Sequence, residues 1–188
     1  MSEVRQARPE DAPELVRLRL LMFEAMRGQA EPGPWEGRAE ALLRDRLADP
    51  HATTMPAFVV DDPDAPGRLA ACAVGTLEQR LPAPGHPEGL FGFVFNICTD
   101  PARRRRGHAR ACTEALLAWF DEHRVTRIDL HATEGGEQLY RSLGFAEHSV
   151  PLSRNRLGSD PAFSPDPAFS PGLAPSPDPG LNPELSPR

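Results

Sequence analysis

One stretch decides how this chain is interpreted: Asp100-Pro101-Ala102-Arg103-Arg104-Arg105-Arg106-Gly107-His108-Ala109-Arg110. An apolar run from Phe91 to Thr99 precedes it, and an amphipathic run from Ala111 to His123 follows it. These flanks predict a strand, a basic turn that contains glycine, and a helix. The first amide groups of a helix have no intrahelical partner and carry partial positive charge, so the turn suits an anion. Gly107 lets the backbone approach such a ligand closely, and the arginines supply donors that match phosphate oxygens.

Taken alone, a run of four arginines is also typical of a solvated loop or of a nucleic-acid-binding patch. The net charge of −6 argues against nucleic acid, because the basic residues concentrate in one turn and do not spread over a face. The position of the run between an apolar strand and an apolar-faced helix favours a phosphate-bearing small ligand.

Composition excludes several classes of enzyme. All 21 basic residues are arginine. A Walker-type phosphate loop and a pyridoxal-phosphate enzyme both need a lysine, so neither class fits. No Gly-x-Gly-x-x-Gly fingerprint follows a strand-like run, which disfavours a nicotinamide dehydrogenase. The arginine-only, alanine- and proline-rich usage also suggests a GC-rich bacterial genome.

Length and cysteine usage favour one ordinary domain in the cytoplasm. A chain of 188 residues with 39% hydrophobic residues is long enough for one core. The first ten residues do not have the character of a signal peptide, and no run approaches the length of a membrane span. The cysteines at positions 72, 98 and 112 show neither metal-ligand spacing nor an even number for disulfides, so no metal site is expected.

Apolar periodicity predicts a strand, two helices, three strands, a helix, a strand, a helix and a strand. Asp11 is predicted to cap the first helix. The residues from Arg27 to Gly37, rich in glycine and proline, are predicted as a loop, and the second helix is expected from Arg38 to Leu47. The two strands after it are expected at Ala57–Val60 and Leu69–Leu77.

The chain changes character after residue 157. Residues 158–188 contain nine prolines and repeat the sequence Asp-Pro-Ala-Phe-Ser-Pro at 160–165 and 166–171. Such a stretch cannot bury enough apolar surface to offset its chain entropy, so residues 157–188 are predicted to be a disordered tail. A docking role for the two phenylalanines is the alternative.

The segment from Asn96 to Phe145 resembles the acetyl-CoA-binding core of the GNAT superfamily of N-acetyltransferases. Arg104-x-x-Gly107-x-Ala109 fits that family's Arg/Gln-x-x-Gly-x-Gly/Ala signature. The N-terminal half matches only in its order of elements. The resemblance implies an α/β fold for residues 1–156, in which helices flank a central mixed, mostly antiparallel sheet.

The resemblance also implies where acetyl-CoA binds. In the family, backbone amides of the strand before the turn are freed at a bulge and contact the acetyl carbonyl and the pantetheine arm. Thr133 stands where many relatives have an asparagine that contacts pantetheine. The residues implied to bind the cosubstrate, besides Thr133, are Ile97, Cys98, Thr99, Arg104, Arg105, Arg106, Gly107, His108, Ala109 and Arg110.

Tyr140, the only tyrosine of the chain, is implied to be the catalytic acid. Family members place a tyrosine a few residues before Gly-Phe, where it protonates the departing thiolate. Its ordinary pKa of ~10 suits that role. Cys98 as an acyl-accepting nucleophile is a lesser alternative. No general base stands out among the four candidates, which are Glu24, Glu78, Asp100 and His131.

Two function classes stay open. The first is an N-acetyltransferase that moves an acetyl group to a primary amine by direct attack in a ternary complex, with a small-molecule amine or a peptide N-terminus as acceptor. The second is a catalytically silent acyl-CoA-binding module with an interaction tail. Carboxylates in the loop from Arg27 to Gly37, such as Glu31 and Glu36, would suit a cationic amine. No nucleic-acid or membrane partner is expected, and a homodimer is one option for the oligomeric state.

Overall fold

The computed structural model describes residues 3–29, 32–49, 51 and 53–148. The predicted order of elements is confirmed through the last helix. The proline-rich tail, the boundary expected at residue 156 and most of the predicted last strand lie outside the described residues. The elements are β1 (Val4–Gln6), α1 (Ala12–Arg27), α2 (Pro34–Leu47), β2 (Ala57–Asp61), β3 (Leu69–Gln79), β4 (Leu90–Thr99), α3 (His108–Glu122), β5 (Arg127–Leu130) and α4 (Glu134–Ser142).

The strands form one sheet in the order β1-β2-β3-β4-β5. Neighbouring strands are antiparallel except β4 and β5, which are parallel. The sheet is therefore mixed and mostly antiparallel, as the resemblance implied. Residues 69–75 of β3 are all buried, because helices cover both faces of the sheet at this strand.

The two faces have separate hydrophobic cores. Leu15 and Leu18 of α1 pack with Cys72 of β3 on one face. On the other face, Leu116 and Phe120 of α3 pack with small β3 residues such as Ala71 and Ala73. The ring of Phe120 fits because the sheet has glycines beneath it: a Cβ atom at Gly75 would lie 2.8 Å from its Cζ atom. The alternation of β3 side chains thus fixes which helices cover which face.

One helix start differs from the sequence prediction, and a second agrees with it in position but not in its cap. The loop expected through Gly37 is wrong for its last residues, since α2 begins at Pro34. The Gly33 amide donates to the Glu36 carboxylate at 2.9 Å, and proline is tolerated in a first turn because its missing N–H would be unpaired there anyway. Asp11 makes no side-chain cap with α1; it accepts from the Arg8 amide and pairs with Arg5.

None of the helices in the described ranges has both the length and the apolar character needed to cross a membrane.

Candidate active site

The site begins where β4 and β5 part. β5 pairs with β4 only from Phe91 to Val94, whereas β3 stays paired with β4 as far as Thr99. The register between β3 and β4 shifts so that Val94 and Asn96 face consecutive β3 residues, which leaves Phe95 as the extra residue of a β-bulge. The last five residues of β4 thus have a paired strand on only one side within the described part of the chain.

Two residues in the turn after β4 have a left-handed backbone conformation. Gly107, with a φ of 81°, precedes α3, and Arg105 has a φ of 64°. The first backbone hydrogen bond of α3 runs from the Ala111 amide to the Gly107 carbonyl. The amides of His108, Ala109 and Arg110 therefore have no acceptor within the helix, and a helix start of this kind attracts anions.

The four consecutive arginines divide into two groups. Arg103 pairs with Asp62 at 2.8 Å and with Asp64 at 2.6 Å, so it fastens the turn between β2 and β3. The expectation that Arg103 adds to the phosphate donors is wrong, because these carboxylates already hold its guanidinium. Arg104, Arg105 and Arg106 are exposed and form no ion pair or hydrogen bond with any described residue. Three guanidinium groups are thus available beside the start of α3.

Arg110 and His108 contribute differently from those three. The Arg110 guanidinium donates to Ser142 at 2.6 Å and pairs with Glu114 at 3.2 Å, so it links α3 to α4. The His108 side chain is buried, and burial, with the charges of Arg106 and Arg103, lowers its pKa. His108 can therefore offer its backbone amide to a ligand at the turn, while its neutral imidazole belongs to the protein interior.

Thr99 carries an unsatisfied hydroxyl. Its Oγ1 atom is buried and has no hydrogen-bond partner among the described residues, a condition that only the Gln6 amide nitrogen shares there. An unpaired buried hydroxyl costs on the order of 1–3 kcal/mol. Thr99 ends the one-sided part of β4 and lies just before the arginine turn. A polar ligand group lying along β4 would satisfy this hydroxyl, so the residues present fit a coenzyme A that follows the strand to the turn.

Tyr140 lies on α4 with its ring against Gly136. A Cβ atom at Gly136 would lie 2.9 Å from the Tyr140 ring and 3.4 Å from the Thr133 hydroxyl, so Thr133 and Tyr140 flank the same glycine. The Tyr140 ring also packs edge-on against Phe145, with 6.2 Å between centroids. Burial raises the pKa of the phenol above its usual value. Its hydroxyl makes no hydrogen bond within the described residues, which leaves it available to a ligand.

The candidate bases have other contacts. Asp100 pairs with Arg17 at 2.8 Å and accepts from the Ala102 amide at 3.0 Å. Burial opposes its ionisation, but these hydrogen bonds outweigh it and lower its pKa, so Asp100 forms the turn as its position suggested. Glu78 pairs with Arg80, Glu24 is exposed on α1, and the His131 ring packs edge-on against Phe93.

Cys98 is poorly suited to accept an acyl group. Its side chain is buried on the α1 face, and burial raises its pKa to about 11 despite the nearby charge of Arg104. The thiol is therefore protonated at neutral pH, whereas a nucleophilic cysteine needs the thiolate. No group of three or more side chains placed to hold a metal ion occurs in the described ranges.

Sequence analysis missed Arg19. This residue of α1 donates from Nη1 to the Asn96 side-chain oxygen at 3.2 Å, next to the bulge of β4. Its guanidinium lies over the rings of Phe23, at 4.7 Å, and Phe95, at 5.8 Å. The only signal in the sequence was a charged residue within the apolar stretch from Leu18 to Phe23.

Comparison with solved structures gives matches that cover more than four fifths of this chain and nearly all of each other chain. A predicted acetyltransferase from Clostridium acetobutylicum, solved with acetyl-CoA, has a TM-score of 0.71 and 20% identity, over 82% of this chain and 96% of that one. A GCN5-related N-acetyltransferase from Ralstonia eutropha has a TM-score of 0.66 and 26% identity, over 82% and 98%. Glucosamine-6-phosphate N-acetyltransferase from Arabidopsis thaliana has a TM-score of 0.66 and 13% identity, over 83% and 99%.

A search of curated proteins found no significant match. The model of the acetyltransferase (GNAT) family matches residues 19–145, which is more than half of the chain. That span includes the bulged β4, the arginine turn and the helix that carries Tyr140. The chain belongs to the GNAT family of acetyltransferases.

Proposed function

We propose that the protein is an N-acetyltransferase that moves the acetyl group of acetyl-CoA, the cosubstrate of its family, to a primary amine by direct attack in a ternary complex. The observation that carries the proposal is the continuity of three features. The one-sided end of β4 leads into three unpaired arginines, and these lead into the open amides at the start of α3. A ligand with an extended polar arm and a diphosphate matches that sequence of groups.

In this proposal the turn holds the phosphates. The guanidinium groups of Arg104, Arg105 and Arg106 and the amides that follow Gly107 would donate to phosphate oxygens, with Arg110 at the edge of the site. Those backbone amides of Ile97, Cys98 and Thr99 that point away from β3, together with the Thr99 and Thr133 hydroxyls, would receive the polar groups of the pantetheine arm. The unsatisfied Thr99 hydroxyl supports this path along β4.

The reaction forms a bond from the amine nitrogen to the acetyl carbon and breaks the bond from that carbon to sulfur. We assign to Tyr140 the transfer of its phenolic proton to the departing thiolate, because burial keeps the phenol protonated through the neutral range. The attacking amine loses one proton. We assign that proton to solvent water, since the Asp100 and Glu78 carboxylates already pair with arginines, and the Tyr140 phenolate regains its proton from solvent.

The acceptor class in the proposal is a small-molecule amine. The Arabidopsis neighbour is named for such an acceptor, glucosamine 6-phosphate. At 13% identity that likeness concerns the fold.

The test is a thiol-release screen. The protein is mixed with acetyl-CoA and single members of a panel of amino acids, amino sugars, polyamines and short peptides, and free coenzyme A is measured with a chromogenic thiol reagent. We expect release that depends on one class of amine, with acetylated amine formed in equal amount by mass spectrometry. Acetyl-CoA binding by calorimetry without release for any amine would favour the silent acyl-CoA-binding module instead.

A further inference from the structure

The Arg19 guanidinium is a half-buried cation that has no carboxylate partner in the part of the chain that the structure describes. It uses one of its five N–H donors, in the bond to Asn96 at 3.2 Å, and no carboxylate within residues 3–29, 32–49, 51 and 53–148 pairs with it. Burial lowers its pKa, which means that the charge loses hydration without gaining a counter-charge. Buried arginines are normally paired, so this one has capacity for an anion from outside the chain.

The guanidinium is held firmly in place. The Asn96 side chain, which accepts from Arg19, is itself held by Cys72. Its amide nitrogen donates to Cys72 Sγ at 3.6 Å, and the Cys72 thiol donates to the Asn96 backbone carbonyl at 3.7 Å. Phe23 lies under the guanidinium and packs edge-on against Trp35, with 5.8 Å between centroids. A donor group that is already oriented loses little entropy when a ligand binds.

Arg19 lies on the face of the sheet opposite the arginine turn. Its partners Asn96 and Phe95 lie on the face covered by α1, whereas α3, which begins at the turn, covers the other face. A diphosphate bound at the start of α3 therefore does not reach Arg19. Because Asn96 directly follows the bulge at Phe95, Arg19 lies beside the bulge of β4, on the face of the sheet that the diphosphate leaves open.

We propose that Arg19 binds an anionic group of the acceptor, a carboxylate or a phosphate, so that the substrate is an amine that carries its own negative charge. This inference rests on the proposed acetyl transfer. It differs from the expectation that loop carboxylates select a cationic amine: the Glu36 carboxylate accepts from the Gly33 amide at 2.9 Å, and Glu31 lies outside the described residues. Arg27, whose guanidinium lies 5.3 Å from the Phe23 ring, adds a second positive charge on this side.

The experiment compares matched acceptor pairs in which only the anion differs. β-Alanine is paired with β-alaninamide, and phosphoethanolamine with ethanolamine, so the two pairs separate a carboxylate from a phosphate. Every other amine that supports thiol release is tested with its anion capped in the same way. The proteins are the wild type, Arg19→Gln, Arg19→Lys and, as a control, Arg46→Gln on the exposed side of α2.

We expect the wild type to prefer the anionic member of at least one pair by about 10- to 100-fold in kcat/KM, the size of one or two charge-assisted hydrogen bonds. Arg19→Gln should lose that preference through a higher acceptor KM, with the KM of acetyl-CoA unchanged. Arg19→Lys should keep part of it, and Arg46→Gln all of it. Turnover of neutral or cationic amines with no preference for the anion would overturn the inference and leave acetyl transfer standing.

Two further readouts cover the remaining outcomes. If Arg19→Gln does not fold, the matched acceptor pairs are tested with the wild type alone. Equal rates for the two members of each pair then overturn the inference. If no amine releases thiol, the proposed transfer fails, and thermal shifts with propionate and methyl phosphate in the presence of coenzyme A decide separately. Stabilisation of the wild type but not of Arg19→Gln supports the anion site alone, and no stabilisation of either overturns it.

Discussion

The ring of Tyr140 lies directly against Gly136, where a Cβ atom would be 2.9 Å from the tyrosine Cε2 atom. Real Cβ atoms essentially never come this close to another heavy atom, so any side chain at residue 136 would push the ring aside. Gly135, the preceding residue of the same helix, has no heavy atom within 4 Å of its Cβ position. Substitutions at these two neighbouring glycines therefore distinguish an effect on the position of the phenol from an effect on the stability of α4.

We predict that Gly136→Ala lowers kcat by about 10- to 100-fold, because a small displacement of a catalytic group is enough for that loss. Gly135→Ala should leave kcat unchanged. Gly135→Ala, whose new Cβ atom meets no neighbour, should not lower the stability of the protein, whereas at Gly136 the displaced ring offsets any gain in helix propensity. Steady-state kinetics and thermal melting of both variants check this. Equal kcat values for Gly136→Ala and the wild type would remove Tyr140 from its assigned place in the reaction.

Tyr140→Phe should lower kcat on the order of 10²-fold, the usual size of lost acid catalysis, with little change in acetyl-CoA affinity. Burial raises the pKa of the phenol above 10, so its proton is present throughout pH 6 to 9 and is lost only at higher pH. The ratio of wild-type to variant kcat should therefore stay constant from pH 6 to 9. A ratio that falls toward pH 9 would mean that the phenol ionises in this range and that its pKa is lowered.

Gly107→Glu should weaken acetyl-CoA binding about 100-fold or more, as expected if two phosphate contacts are lost at about 1.5 kcal/mol each. Gly85→Glu is the matched control. Gly85 has nearly the same backbone, with φ of 83° against 81° for Gly107, and neither has a heavy atom within 4 Å of its Cβ position. Gly85 precedes β4 and Gly107 follows it, so they lie at opposite ends of a strand about 30 Å long. If calorimetry shows equal losses of acetyl-CoA affinity in the two variants, backbone strain is the cause of the effect.

Incubation with acetyl-CoA alone should leave no acetyl group on the protein. With a pKa of about 11, roughly one Cys98 side chain in a thousand is a thiolate at pH 8. Intact-protein mass spectrometry without acceptor checks this. An adduct that disappears in Cys98→Ala would show an acyl-cysteine intermediate and contradict direct attack.

A chain shortened to end at Arg156 should keep its melting temperature and its acetyl-CoA affinity. The nine prolines of residues 158–188 and their lack of apolar periodicity motivate this expectation. Differential scanning calorimetry and isothermal titration of the two chains test it. A drop of several degrees would show that the tail packs on the domain.

The sequence alone was sufficient to predict those features that depend on residues close together in the chain. The apolar run that became β4, the glycine at the start of α3 and the position of Tyr140 on a short helix all follow from local patterns. Features that depend on distant residues were missed. Arg103 is occupied because Asp62 and Asp64 come from another turn, and Arg19 matters because Asn96 is 77 residues away in the chain. The family resemblance implied a bulge in this strand, but its position at Phe95 is a property of the β3–β4 register and has no signal within β4 itself.

The parting of β4 from β5 after Val94 leaves a sheet edge beside a strand that is otherwise paired on both sides. Alternate backbone N–H and C=O groups from Phe95 to Thr99 point away from β3, and no described strand pairs with them. If the pantetheine arm supplies that partner, the cosubstrate completes the sheet as well as reacting on it. We then expect the amides of this segment that point away from β3 to exchange hydrogen slowly only when the cosubstrate is bound, whereas those paired with β3 are protected in either state. Resistance to heat would then rise with cosubstrate concentration, because the ligand binds only the folded state.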